Sequence, residues 1–135
     1  MTTKPKEYDN IPGTFVFDAD RSREGYHINM FCMSLMKADN RAAFKANEAK
    51  YLEKFPMTQG QREAVLKREW NKMLELGANI YFTAKLGATD GLSFQQVAAI
   101  MTGNTQADYA DMMIKGGRNP DGNRYKSEWE AKNRG

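Results

Sequence analysis

The 135-residue sequence contains 27% charged and 41% hydrophobic residues, a balance typical of one soluble globular domain with a sizeable core. Its single cysteine excludes an internal disulfide, and no long apolar run or apolar N-terminal segment predicts a membrane span or a signal peptide. We therefore expect a cytoplasmic protein that binds no membrane. The net charge of +3 arises in residues 115–135, with six Lys and Arg against three Asp and Glu, so residues 1–114 sum to zero.

Residues 1–135 are interpreted as a single helical domain with three parts. Residues 1–17 are predicted to form an extended arm, in which Pro12-Gly13 favours a type II turn before a short extended segment. Residues 18–116 show helical periodicity and form the body. Residues 117–135 are charged and rich in turn-forming residues, and are interpreted as a polar tail. The sequence therefore predicts an all-α fold.

The first half of the body predicts two long helices. The first begins at an N-cap provided by Asp18 or Asp20, and Asp39-Asn40 ends it and caps the second, which stops before Pro56. Apolar residues recur along both helices at three- and four-residue spacing, which predicts a buried face on each. The apolar residues of these faces are Ile28, Phe31, Cys32, Leu35, Met36, Phe44, Tyr51, Leu52 and Phe55.

A third long helix is predicted from Thr58 to Gly77. Thr58 and Gln61 have the spacing of a capping box, and Gly77 occupies the position where a glycine ends a helix in the left-handed conformation. One apolar stripe runs between them. Its residues are Val65, Leu66, Trp70, Met73 and Leu74.

Three shorter helices complete the body. The first is apolar on too many sides for a solvated surface helix. The second starts at a capping box formed by Ser93 and Gln96, and the third starts at an N-cap, Thr105, and ends before Gly116. The apolar residues of the first and third are Ile80, Tyr81, Phe82, Leu86, Tyr109, Met112 and Met113.

The sequence contains no set of residues that indicates catalysis or metal binding. His27 is the only histidine, so this chain alone cannot supply the two histidines of a non-haem iron site, and no ligand spacing indicates zinc. His27 and Cys32 are five residues apart, which on a helix directs them to different faces and argues against a Cys-His dyad. We predict no catalytic residue and no metal ligand here, and we interpret His27 as a surface or capping residue.

Residues 95–114 also fit a helix-turn-helix motif, with Gly103 in the turn. The second helix carries Asp108 and Asp111, and Lys115 is the only cation at its end. Because DNA affinity depends on neutralising phosphates, these carboxylates argue against a DNA-reading helix. We expect no nucleic-acid binding, and a stand-alone helical module that reads DNA is the alternative hypothesis.

Four blocks of sequence resemble the small α subunits of protocatechuate 4,5-dioxygenases, a family of two-subunit extradiol ring-cleaving enzymes. The blocks stand in the same order and cover approximately residues 11–122. Neither the first few residues nor the tail after Gly122 matches. The blocks are IPGT (11–14), GYHINMFCMSLMKADNRAAFKANEAKYL (25–52), YFTAKLGATDGLSF (81–94) and MTGNTQADYADMMIKGGRNP (101–120).

The resemblance implies an all-helical subunit that contributes no metal ligand and lies over the mouth of the active site of a larger catalytic β subunit. In that family the β subunit binds Fe(II) through two histidines and a glutamate, and the complex is an α2β2 heterotetramer. The implied function is to cap this iron centre during ring opening of an aromatic catecholic acid, protocatechuate in the first instance. A cap for a related gallate or aminophenol dioxygenase is the alternative within the superfamily.

The resemblance also implies substrate-pocket residues. Phe94 matches a phenylalanine that lines the substrate entrance in the family, and Ser93, Met101 and Thr102 are further candidates for lining the pocket. The alternative for Phe94 is an ordinary core aromatic residue at a helix N-terminus. The apolar and amide side chains of residues 90–103, the segment that contains these candidates, exclude water without offering a competing acid or nucleophile.

Overall fold

The structure, a computed structural model, describes residues 6–10 and 15–117 and confirms the predicted all-α class. Within these ranges a short 3-10 helix, Glu7–Asn10, precedes nine α-helices, and no helix there is long and apolar enough to cross a bilayer. The predicted Pro12-Gly13 turn and the tail after Gly117 lie outside the described residues. The α-helices are α1 (Ala19–Glu24), α2 (Tyr26–Ser34), α3 (Ala38–Ala46), α4 (Glu48–Leu52), α5 (Gln59–Leu66), α6 (Trp70–Glu75), α7 (Ile80–Thr89), α8 (Phe94–Thr102) and α9 (Gln106–Ile114).

The first predicted long helix is split at Gly25, where α1 ends and α2 begins. Its start is confirmed, because the Asp18 side chain caps α1 by accepting a hydrogen bond from the backbone N–H of Arg21 at 2.9 Å. The split has a tertiary cause: a Cβ atom on Gly25 would lie 1.9 Å from the carbonyl oxygen of Gly77. Two distant turns therefore meet at a point where only glycine fits.

The second predicted helix begins earlier than expected and is also split. Lys37 occupies its N-cap position, so the prediction of a cap at Asp39 or Asn40 was wrong. The amide nitrogen of Asn40 instead donates to the carbonyl of Ser34 at 2.9 Å and closes the turn between α2 and α3. Asn47 separates α3 from α4, and its side chain caps α4 by accepting a backbone hydrogen bond.

The third predicted helix is broken at Arg68, which has a left-handed backbone with φ of +54°. Such a residue cannot continue a right-handed helix, so α5 ends there and α6 starts at Trp70. Both ends of the prediction are confirmed: Thr58 and Gln61 form the capping box, and Gly77 follows α6 with φ of +106°.

The helix starts predicted in the last third of the chain are also confirmed. Ser93 and Gln96 form a second capping box at the start of α8, and Thr105 caps α9 by accepting a hydrogen bond from the backbone N–H of Asp108. Gly103, with φ of +75°, ends α8, so that α8 and α9 form a helical hairpin.

The core contains most of the predicted apolar positions. An aromatic cluster lies at its centre, with ring centroids separated by 5.1–6.1 Å, distances at which aromatic pairs stabilise one another. The predictions of burial for Met36, Leu66 and Tyr81 were wrong, because these side chains are exposed; Met36, for example, lies beyond the end of α2 and is 59% exposed. The aromatic cluster consists of Phe31, Phe44, Tyr51 and Phe55.

Cys32 in α2 is fully buried within this core. Burial raises the pKa of its thiol from an ordinary value near 9 to about 12, although the charge of Lys85 acts in the opposite direction. We expect the native protein to react with a thiol reagent at least about 100-fold more slowly than the urea-unfolded chain at pH 8, because the thiolate is the reactive form.

The same burial makes the stability of the folded protein depend on pH. A pKa that is higher in the folded state stabilises the fold fully below the unfolded value, near 9, and this stabilisation is lost as the pH rises towards about 12. A Cys32→Ser variant is the control for the alkaline loss, because its hydroxyl does not titrate there. In the thiol-reagent experiment, equally rapid labelling of the native and the urea-unfolded protein would contradict the burial of Cys32.

Candidate functional site

Phe94, the leading candidate from the sequence, is the first residue of α8 and is 59% exposed. The alternative that Phe94 is an ordinary core residue is therefore wrong. Its neighbour Ser93 is committed to the capping box: Ser93 Oγ accepts from the backbone of Gln96 at 3.1 Å, and Gln96 Oε1 accepts from the backbone of Ser93 at 2.7 Å. An apolar ring is thus presented to solvent from a fixed helix start.

Arg68 fixes the connection that leads into Phe94. Its guanidinium donates to Asp90, the C-cap of α7, through Nε at 2.6 Å and Nη2 at 3.0 Å. It also donates to Glu48 at the start of α4 through Nη1 at 3.0 Å and Nη2 at 2.8 Å. The same group lies 5.4 Å from the ring centroid of Phe44. One side chain therefore ties α4 and the α7–α8 connection to the end of α5.

The charge state of Arg68 follows from these contacts. Burial on its own lowers the pKa of the guanidinium, but the hydrogen bonds with Asp90 and then Glu48 outweigh this effect and raise it. Arg68 is therefore held in its cationic form. Two bidentate carboxylate contacts on one arginine make a rigid support for the start of α8.

Met101 and Thr102 lie at the opposite end of α8 from Ser93 and Phe94. Phe94 and Thr102 are eight positions apart on the helix, which corresponds to about 12 Å along the axis. The four predicted residues are therefore not one cluster. They form two pairs at the two ends of one helix.

Met101 and Thr102 line a cavity of about 580 Å³ between residues 15–17 and helices α6, α7 and α8. The sequence predicted an extended segment lying on the body at residues 14–17, but nothing indicated what that segment covers. The additional lining residues were missed, because they come from four separate parts of the chain. The full lining consists of Phe15, Phe17, Asn71, Leu74, Ala78, Asn79, Ile80, Tyr81, Met101 and Thr102.

The four candidate residues at the two ends of α8 carry no carboxylate, imidazole, thiol or amine. Within residues 6–10 and 15–117, no group of three or more His, Cys, Asp and Glu side chains could hold a metal ion. His27 is partly exposed on α2, where its ring makes an edge-to-face contact with Tyr26 at 5.1 Å between centroids. The four candidate residues offer apolar and hydroxyl groups, and the groove beside Met101 is also lined by the charged side chains of Arg68, Glu69 and Lys72.

The outer surface of α9 carries carboxylates rather than a basic stripe. Asp108 and Asp111 are exposed, and Lys115 is paired with Asp111 at 2.8 Å. A helix with this charge pattern does not favour contact with phosphates. The α8–α9 hairpin therefore lacks the electrostatics of a DNA-reading motif.

The class and the family of this chain follow from comparison of its sequence with those of known proteins. The sequence model of the LigA subunit of the aromatic-ring-opening dioxygenase LigAB matches residues 28–114, from α2 to the end of α9. The proteins of this class are subunits of aromatic-ring-opening dioxygenases. The chain belongs to the LigA subunit family, which confirms the resemblance seen in the sequence blocks.

A curated relative is the gallate dioxygenase of Pseudomonas putida. It is 23% identical to this chain over 101 residues, which cover 75% of this chain and 30% of the relative. The chain thus matches less than one third of the length of that relative. Phe94, Met101 and Thr102 all lie within the region that the family model covers.

Proposed function

We propose that this chain is the non-catalytic subunit of an extradiol dioxygenase that opens the ring of a catecholic acid such as protocatechuate. The observation that carries the proposal is the family match over residues 28–114. In the proposed complex, an α2β2 heterotetramer, this chain covers the mouth of an active site on a larger subunit. Within the described residues, no group of three or more His, Cys, Asp and Glu side chains fits a metal site, and we place Fe(II) in the larger subunit because the family resemblance implies it.

The chemistry supplied by Fe(II) is activation of dioxygen and of the catechol, and the work of this chain is to control water and access. Phe94 is suited to this role because its ring is exposed while its backbone is held by the capping box and, through Asp90, by Arg68. An apolar wall that carries no ionisable group excludes water without competing for protons. Ser93 belongs to this wall as the cap that sets the direction of Phe94.

The substrate is proposed at the level of its class. Protocatechuate and gallate are both ring-hydroxylated benzoic acids, and the relative named gallate dioxygenase supports this class. An aminophenol dioxygenase is the alternative assignment for the assembled pair. Turnover measured with protocatechuate, gallate and an aminophenol separates the three.

Reconstitution from separate subunits tests whether ring opening requires both this chain and the larger subunit. The isolated chain, supplied with ferrous iron and protocatechuate, is expected to consume no oxygen, and addition of the larger subunit from the same cell is expected to start ring opening. The measurements are oxygen uptake and the absorbance of the ring-opened semialdehyde. Ring opening by this chain alone, or full activity of the larger subunit without it, would overturn the proposal.

A Phe94→Ala variant refines the same test. Loss of one aromatic contact to the substrate corresponds to about 0.5–1.5 kcal/mol, so KM is expected to rise about two- to tenfold while the complex still assembles. Tyr26→Ala is the matched control, since Tyr26 is an equally exposed aromatic residue on α2. Failure of Phe94→Ala to join the larger subunit would instead place Phe94 in the subunit interface.

A further inference from the structure

We propose that the cavity between residues 15–17 and helices α6–α8 is a binding site for a small neutral aromatic molecule. Its volume of about 580 Å³ lies in the range of small-molecule sites and exceeds what one aromatic ring needs. Three aromatic side chains line it: Phe15, Phe17 and Tyr81. Stacked and edge-to-face contacts with such side chains favour a planar aromatic ligand.

The lining also provides hydrogen-bonding groups. Asn71 donates through Nδ2 to the carbonyl of Met101 at 2.9 Å, which leaves its Oδ1 as an acceptor. Asn79 accepts through Oδ1 from the backbone of Tyr81 at 2.9 Å, which leaves its Nδ2 as a donor. Together with the hydroxyl groups of Tyr81 and Thr102, these two amide groups match a ring that carries a polar substituent such as a hydroxyl group.

The charge of the lining selects a neutral ligand. None of the ten side chains that line the cavity carries a formal charge. Arg21 already donates to the carbonyls of Leu74 and Glu75 at 3.3 and 2.5 Å and lies over the ring of Phe15 at 5.3 Å. Arg68 and Lys72, which line the adjoining groove beside Asn71 and Met101, are paired with carboxylates of Glu48, Asp90 and Glu75. A carboxylate in this cavity would lose hydration without gaining an unengaged cation, which is costly.

The wall formed by helices α6–α8 is held in place before any ligand binds. The buried side chain of Asn29 donates to the carbonyl of Gly77 at 3.2 Å and accepts from the backbone of Asn79 at 2.9 Å. The contact from Asn71 to Met101 joins α6 to the end of α8. A site whose walls are already positioned binds without a large ordering cost.

Titration of the isolated chain of residues 1–135 tests this site without iron or a second subunit, so its outcome is independent of the proposed ring-opening role. The probes are benzyl alcohol, which is neutral, and benzoate, which has a similar size and a negative charge. We expect saturable binding of benzyl alcohol in calorimetry and at least tenfold weaker binding of benzoate. In spectra of the 15N-labelled chain, the shifted amides are expected at residues 78–81 and 101–102.

Variants locate the site. Tyr81→Ala is expected to weaken the binding of benzyl alcohol about tenfold, whereas Tyr26→Ala, which removes an exposed ring outside the cavity, is expected to leave it unchanged. Absence of saturable binding would overturn the inference. So would benzoate binding as tightly as benzyl alcohol, equal weakening by the two variants, or amide shifts that lie away from the cavity.

Discussion

Replacement of Gly25 by alanine is expected to lower the free energy of unfolding by about 4 kcal/mol, a large part of the total stability of a domain of this size. The added Cβ atom would lie 1.9 Å from the carbonyl oxygen of Gly77, whereas ordinary contacts are 3.4–4 Å. The obstacle is backbone, so no side-chain rotation can relieve it. The α1–α2 joint and the α6–α7 turn must separate.

Separation of these two turns also breaks hydrogen bonds that join them. Gln61 Nε2 donates to the carbonyls of Glu24 and Leu76 at 3.0 and 2.9 Å, and the buried side chain of Asn29 bridges to the α6–α7 turn. Buried groups left without partners cost more than the bonds themselves contribute. The expected decrease in the free energy of unfolding is therefore larger than a steric clash alone would cause.

Urea denaturation of the two alanine variants Gly25→Ala and Gly60→Ala measures this effect. Gly60 lies in the first turn of α5, and its Cβ would meet Leu76 Cδ1 at 3.6 Å and Thr58 Oγ1 at 3.9 Å, both ordinary contact distances. Since alanine favours helix more than glycine does, Gly60→Ala is expected to be neutral or more stable by up to about 1 kcal/mol. Equal midpoints for the two variants would show that Gly25 and Gly77 are not in contact.

Arg68→Ala is expected to have the second largest effect and to lower the free energy of unfolding by about 3 kcal/mol. The variant loses charge-assisted hydrogen bonds to Glu48 and Asp90, which are partly exposed and therefore worth less than buried pairs, and the contact with Phe44. Alanine must also adopt the left-handed backbone of this position, with φ of +54°.

Two further substitutions separate the side-chain effect from the backbone effect. Arg68→Gly loses the same contacts but fits a positive φ, so it is expected to be about 0.5–1 kcal/mol more stable than Arg68→Ala. Arg68→Lys keeps the charge but not the forked geometry, and is expected to lie between the wild type and alanine. Chemical denaturation by urea at low and high salt measures all three. Equal stability of the alanine and glycine variants would contradict the backbone strain.

Because Asp90 lies four residues before Phe94, the Arg68 variants also connect stability with the proposed function. A loosened α7–α8 connection is expected to alter KM in the assembled complex in the same direction as Phe94→Ala. This link is a consequence of the ion pairs at 2.6 and 2.8 Å that hold the connection to α4 and α5. A functional change without any loss of stability would point to a direct contact of Arg68 with the partner or the substrate.

The candidate site was predicted only in part. Phe94 and Met101 were named from a resemblance of local sequence blocks, and such blocks are readable because their residues are contiguous. Their separation at the two ends of α8 follows from the predicted helix that starts at Ser93, but the sequence blocks did not indicate that Met101 lines a cavity with distant segments. Phe17 and Tyr81, which share the cavity with Met101, belong to segments more than sixty residues apart, so no spacing pattern joins them.

The amino-acid sequence by itself determined the all-α class, the helix starts at Thr58, Ser93 and Thr105, and the family. These features depend on neighbours within a few residues or on contiguous blocks, and capping is a local hydrogen-bonding property. Only the tertiary structure decided where the long helices break and what residues 15–17 cover. The break at Gly25 exists because Gly77 arrives there from another part of the chain, and such contacts between distant segments leave no periodic signature in the sequence.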